Sequence, residues 1–260
     1  MNCQLLWRLL QIAFFVLIMS PVVFGQVEHD IKVKLQPESY LIEVVDKITL
    51  PPEILKSKQL HFTIHQGLEP EVLDKDIVLR KKIGTDAGKF FTDNPSLQQS
   101  SMGMELFEVL LPEGTDQFTL KYAGEIYHPV QEYGEEYSRS FSVSPGIISP
   151  EGIFLSGSTI WYPHFVDELV TFKLDVELPV GWSSVSQGTR EKTETGIDSR
   201  RDVWVADTPQ EEIYLISSEF TEYSQAAGVV EAMAFLRNPD LQLAQKYLDT
   251  TAQYLEMYRK

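Results

Sequence analysis

The chain has 260 residues, of which 43% are hydrophobic and 11% aromatic; it is long enough for one large or two modest domains and too apolar to be disordered. Its formal net charge is −16, and its basic residues are scattered, with Lys81-Lys82 and Arg200-Arg201 as isolated pairs. A nucleic-acid partner is therefore not expected, because phosphate binding needs Lys and Arg gathered on one face.

The first segment is a targeting signal. Arg8 is the only charge before Glu28, Leu9–Phe24 is almost wholly apolar, and Val23-Phe24-Gly25 offers a small-x-small cleavage site. Residues 1–25 read as a secretory signal peptide or, uncleaved, as an N-terminal membrane anchor through 9–24. The chain is thus expected to be exported, periplasmic or extracellular, with a membrane contact only through an uncleaved leader. The single cysteine, Cys3, lies inside this leader, so the mature chain holds no disulfide, thiolate nucleophile or cysteine metal site.

Strand signals dominate from Asp30 to Tyr223. Ile31, Val33 and Leu35 alternate with polar residues; Tyr40, Ile42, Val44, Ile48 and Leu50 continue until Pro51-Pro52. Next comes "HFTIH", His61–His65. On a helix, histidines four apart share a face, as in the H-E-x-x-H motif of zinc peptidases, but here Phe62 stands where the Glu belongs. Leu60, Phe62 and Ile64 alternate with His61, Thr63 and His65, which predicts a strand. The two imidazoles then lie about 13 Å apart, too far for one ion. They are expected on the wetter face of a sheet.

Further strands are expected at Ile77–Ile83, Leu106–Leu111, Phe118–Tyr122, Thr171–Leu178, Asp202–Ala206 and Glu212–Ser217. Pro112-Glu113-Gly114, Pro179-Val180-Gly181 and Asp207-Thr208-Pro209 read as the turns between them. His128–Gly152 has no sustained period and reads as a long surface excursion, with Glu132–Tyr137 an acidic stretch within it. His164, in Trp161–Phe165, reads as a hydrogen-bonded structural histidine.

Val229–Arg237 is one more expected strand. Asn238-Pro239 then gives an N-cap and a Pro at the first helical position. Leu241, Ala244, Leu248, Thr251, Leu255 and Tyr258 form one apolar stripe. The fold class is mostly β: a large antiparallel saddle or sandwich, followed by a strand and a helix that look like the opening of a second domain.

Catalytic signatures are missing. There is no nucleophile elbow, phosphate loop or dinucleotide fingerprint, and Glu135-Glu136 and Glu211-Glu212 are unremarkable pairs in an acidic chain. No catalytic or metal-ligating residue is assigned.

Five stretches resemble a known arrangement. "HDIKVKLQPESYLIEVVDKITLP" (29–51), "FTLKYAGEI" (118–126), "GIFLSGSTIWYPHF" (152–165), "FKLDVELPVGWSSVSQG" (172–188) and "PQEEIYLISSEFTEY" (209–223) follow the order of strands in the saddle-like N-terminal domain of the aminopeptidase N family of zinc metallopeptidases. The resemblance implies three segments: 1–25 the leader, 26–224 the β domain, and 225–260 the start of a thermolysin-like catalytic domain whose zinc motif would lie beyond Lys260. It implies a non-catalytic role, inactive as given, with zinc as cofactor only in a full-length parent and none in this chain. The expected partners are the parent's own catalytic domain and its peptide substrate. It places Ser156, Gly157, Ser158, Trp161 and Tyr162 on the wall of the substrate cleft, although the Gln or Glu that typical members carry there is absent from Leu155–Thr159. The alternative is a stand-alone exported β module that binds glycan or protein through aromatics such as Trp161, Tyr162 and Tyr133; core packing is the other use of such rings.

Overall fold

The computed structural model describes residues 26–56, 59–83, 103–133 and 141–258, without the side chains of 131–133 and 141–143. The leader with Cys3 lies outside these residues, as do the side chains of the acidic stretch Glu132–Tyr137, Tyr133 included. Among the described residues, no helix is long and apolar enough to cross a membrane.

The strands are β1 (Gln26–Gln36), β2 (Leu41–Thr49), β3 (Leu60–His65), β4 (Glu71–Val72), β5 (Val78–Lys81), β6 (Met104–Leu110), β7 (Gln117–Glu125), β8 (Gln131–Tyr133), β9 (Phe141–Val143), β10 (Gly146–Ser149), β11 (Gly152–Leu155), β12 (Leu169–Pro179), β13 (Ser183–Val185), β14 (Thr189–Thr195), β15 (Ser199–Gln210), β16 (Leu215–Ser218), β17 (Thr221–Ala227) and β18 (Val230–Leu236). Helix α1 (Pro52–Leu55) is a single turn, and α2 (Leu241–Tyr258) closes the described chain.

A seven-stranded sheet, in the order β14-β15-β12-β1-β2-β7-β4, forms one layer. Alternation along β1 puts Val27, Ile31, Val33 and Leu35 on the inner face and Glu28, Lys32 and Lys34 outside. Two smaller sheets, β3-β6-β5 and β10-β11-β16-β13, meet that inner face. One apolar core runs through all three, from Ile31, Ile42 and Leu174 to Phe62, Phe107, Leu155 and Leu215, giving a mostly β sandwich. The outer face of the large sheet is a ladder of alternating charge: at one level Arg201, Glu177, Lys34 and Glu43 lie side by side on β15, β12, β1 and β2. Lys34 lies 3.2 Å from Glu177, and Arg201 forks onto Asp175.

The structure corrects several expectations. The large sheet is antiparallel as expected at its other described pairings, and β1 with β12 is its parallel exception. Tyr40 lies outside the strand, in a left-handed turn at φ 60°, because the chain must reverse between β1 and β2. Pro112–Gly114 and Pro179–Gly181 do make turns, with Gly114 and Gly181 at positive φ. Asp207-Thr208-Pro209 does not. It lies inside β15 as a bulge, where Ala206 pairs with Phe172 and Gln210 with Val170, so β15 uses four steps against two on its partner. The expected excursion 128–152 contains β8, β9 and β10 in its described parts.

The C-terminal elements form a second, smaller core. Strands β17 and β18 pair as a hairpin, and Ala244 and Leu248 of α2 are buried, with Leu248 packed on Ala227, Ala232 and Ala234. The buried stripe continues through Ala252 and Leu255; Leu241, Thr251 and Tyr258, expected on it, are exposed. The N-cap is Asp240, whose carboxylate accepts the N–H of Leu243 at 2.9 Å, two residues beyond the expected Asn238. Charge joins this unit to the sandwich: Arg190 and Arg200 both meet Glu222 of β17, and Arg237 donates to the carbonyl of Glu151.

Candidate functional site

The segment after β11 is short, polar and tightly held. Ser156–Ile160 forms one 3-10 turn closed by a capping box: the Ser156 N–H donates to Thr159 Oγ1 at 3.0 Å, and the Thr159 N–H returns to the Ser156 side chain. Ile160 ends the turn in the left-handed region at φ 53°. The Thr159 hydroxyl, 2.5 Å from the Pro145 carbonyl, ties the turn to β10's entry, and the Ser156 and Ser158 hydroxyls lie 2.7 Å apart.

Behind the turn, Trp161 and Tyr162 are fully buried. Trp161 Nε1 donates to the Ile213 carbonyl at 3.1 Å, and the Ile213 N–H donates to Tyr162 Oη at 3.2 Å. These bonds satisfy the rings' polar atoms in the core. The two side chains are therefore unavailable to a ligand. The pair instead clamps residue 213, which fixes its neighbour Glu212 at the surface.

Glu212 completes the site. One carboxylate oxygen accepts the Gly157 N–H, and the other accepts the Tyr214 hydroxyl at 2.6 Å. Gln187 holds this strand entry from below: its Nε2 donates to the Glu212 carbonyl and its Oε1 accepts the Tyr214 N–H, both at 2.8 Å. The approach is so close that a Cβ on Gly157 would stand 2.5 Å from Glu212 Oε2 and 2.7 Å from its Cβ. Glycine is required here by space. The hydrogen bond to the Glu212 carboxylate, with the cost of partial burial, raises the Tyr214 phenol above its ordinary pKa.

Ser156, Gly157 and Ser158 are thus brought together at one rim, with Ser158 the most exposed. Trp161 and Tyr162 lie beneath it. Glu212 and Tyr214 join the rim from the far side of the chain. Glu211-Glu212 is one of many acidic pairs, and nothing local marks Glu212; the signal is a non-local contact across 55 positions. Chemically, the rim offers a carboxylate already fixed by two donors, with free lone pairs and two hydroxyls beside it. A carboxylate so placed has the chemistry of an acceptor for a cationic donor such as an ammonium group. Among the described residues, the two serine hydroxyls bond each other, and that of Ser156 also accepts the Thr159 N–H.

"HFTIH" lies in β3, as expected of a strand, but not on a wet face. Phe62, Thr63, Ile64 and His65 are all buried. The edge of β3 is covered by the same 160–164 segment: Thr63 and His164 exchange both backbone bonds at 2.9 Å, and His65 N–H donates to the Ile160 carbonyl at 2.8 Å. His164 is backbone-paired in this bridge.

Fold and site together define a β-sandwich scaffold with a carboxylate-bearing rim. No family model and no curated protein matches the chain. Solved structures do match it. An M1 zinc metallopeptidase from Deinococcus radiodurans, a point mutant bound to a Tyr-Ser-Ala substrate, is similar over 86% of this chain and 52% of its own, with 13% identity and a TM-score of 0.51. The same organism's M1 zinc metallopeptidase in another structure gives 13% identity over 85% of this chain and 51% of its own, at a TM-score of 0.47. The chain spans about half the length of the structures it matches, and it shares the fold of that half.

Proposed function

We propose that this chain is the non-catalytic β portion of an exported zinc aminopeptidase-like protein, where it forms one wall of the peptide cleft. The observation that carries the reading is the shared fold with the M1 zinc metallopeptidase across 86% of this chain. The strand order of the five stretches quoted above supports it independently.

A catalytic zinc does not fit the residues present. The 260 residues contain no H-E-x-x-H, and among the described residues no group of three or more His, Cys, Asp or Glu could hold an ion. No hydrolytic step is therefore drawn through this chain. Zinc and the residues that bind it belong to the parent's catalytic domain, which is the chain's expected partner.

What this chain contributes is a surface. The turn Ser156–Thr159 presents Ser158 to solvent, and Glu212 supplies the carboxylate that the stretch Leu155–Thr159 lacks. A peptide's amino end is the cation that suits this rim. The test is a titration of the isotope-labelled chain with Tyr-Ser-Ala and with its N-acetylated form, followed by amide shifts. Saturable shifts at Gly157, Ser158 and Glu212 with the free amine alone, and an unhydrolysed peptide, are expected. Equal or absent shifts with both peptides would reject the cleft-wall reading.

A further inference from the structure

The end of β3 and the segment after β7 converge on two imidazoles. His65 is the last residue of β3 and is buried. Its backbone is fixed on both sides, N–H to the Ile160 carbonyl at 2.8 Å and carbonyl to the Leu68 N–H at 3.3 Å. His128 follows the Tyr127–Ile147 bridge. Its N–H donates to the Gly146 carbonyl at 3.1 Å, and its carbonyl accepts the Ser144 hydroxyl at 2.7 Å. The two side chains meet with Nε2 2.8 Å from Nε2 and rings at 66°.

We infer that His65 and His128 form a two-imidazole site for a divalent transition ion of tetragonal preference, Cu²⁺ or Ni²⁺. The geometric reason is the bite. Metal–imidazole bonds are about 2.0–2.1 Å, so ligands at a right angle stand about 2.8–3.0 Å apart and tetrahedral ones about 3.3–3.4 Å. The observed separation matches the first case in distance, and with both backbones anchored the rings need only turn about their side-chain torsions to aim both lone pairs at one ion. Imidazole is a suitable donor for these ions. The rings are also in the right protonation state. Burial, with the His128 charge adding to it, lowers His65 to about 4, and burial lowers His128 below its ordinary value. The ring that donates Nε2–H in the pair moves that proton to its own Nδ1 on ligation, so no proton is released. The Glu105 carboxylate also acts on His65, with its charge shared by Lys81 at 2.6 Å. No third His, Cys, Asp or Glu joins the pair among the described residues, and water takes the remaining positions. This site is separate from the rim at Glu212 and does not depend on the peptidase-like reading.

The full chain is titrated with CuSO₄ and with NiCl₂ at pH 7.5, by calorimetry and by electron paramagnetic resonance of the copper form. One ion per chain is expected, with a spectrum showing two equatorial nitrogens. His128→Asn, at the more exposed member, should keep the far-ultraviolet circular dichroism and weaken binding at least tenfold. His65→Gln should do the same, and each variant should lose one nitrogen from the spectrum. Binding that is equally tight in His128→Asn, or a copper spectrum unchanged in either folded variant, overturns the site.

Discussion

His29 Nδ1 lies 2.8 Å from Asp46 Oδ2, and neither side chain reaches solvent. They sit on neighbouring strands of the large sheet, facing inward, where the same alternation that buries Ile31 and Val44 also buries them. The Tyr162 ring meets His29 edge-on at 5.4 Å. Each group meets the other through one atom, while His29 Nε2 and Asp46 Oδ1 are buried with no hydrogen-bond partner; such a pair adds little net stability, but separating it is costly.

Asp46→Ala should therefore destabilise the sandwich by at least about 1–3 kcal/mol, because it strands the His29 donor in an apolar layer. Replacing both, as His29→Phe with Asp46→Leu, should recover part of that loss. Urea melts of the two single variants and the double variant supply the coupling energy; strict additivity would mean that the pair is not a unit.

At the rim, Gly157→Ala should cost about 1–3 kcal/mol, the range for forcing extra atoms into a filled site. The intruding Cβ meets the Glu212 Cβ as well as its carboxylate, so rotating the carboxylate alone gives no relief. Glu212→Gln leaves the space unchanged and removes the charge that holds the Tyr214 proton. The Tyr214 phenol should then titrate at lower pH than in the parent chain, which ultraviolet difference titration against a Tyr214→Phe control resolves. An unmoved phenol would show that Glu212 and Tyr214 are not bonded in solution.

The junction between the sandwich and the β17–β18 hairpin should weaken in acid. Burial alone would raise the Glu222 pKa, but the Arg190 hydrogen bond and the Arg200 and Arg190 charges outweigh it and hold the carboxyl below its usual range. A depressed folded-state pKa contributes stability above the unfolded value, and that contribution is lost as pH falls through the folded one. Hairpin protection should be complete at neutral pH and decline below about pH 4, the ordinary range of a glutamate. Hydrogen exchange of 221–236 across that range is the readout. In Glu222→Gln the acid-dependent part of the decline should disappear.

Asp240→Ala should destabilise α2 by about 1 kcal/mol, the usual worth of an N-cap, whereas Asn238→Ala should change little. Exchange rates of the first helical turn distinguish the two positions. A larger effect at Asn238 would place the cap where the sequence pattern alone puts it.

That two-residue difference illustrates where the sequence was legible. Alternation gave β1, β2, β7 and β12 because each shows one face to water and one to the core. It failed to show that Thr63 and His65 are buried along with Phe62 and Ile64, or that the open edge of β3 pairs with residues 160–164, far along the chain. Asp207-Thr208-Pro209 carries turn chemistry, yet β12 continues beside it and makes it a bulge. Trp161 and Tyr162 were read as either surface or core, and only their bonds to residue 213 decide the matter. Glu212 and His128 were invisible for the same reason: each acquires its meaning from a partner that no local pattern links to it.

The parallel pairing of β1 with β12 has a consequence for how the molecule forms. Strand β1 occupies the middle of the seven-stranded sheet, yet one of its two neighbours is β12, which begins at Leu169. A chain in which only residues up to β7 have formed can close the antiparallel β1-β2-β7 part of the sheet, but it leaves the far edge of β1 unpaired, with its inner face uncovered by the later strands. Pairings of such long sequence separation close late, because the loop entropy is spent before the contact forms. The open β1 edge is therefore the point at which an unfinished chain is most exposed to wrong strand partners, and the rate at which β12 arrives sets how long that exposure lasts.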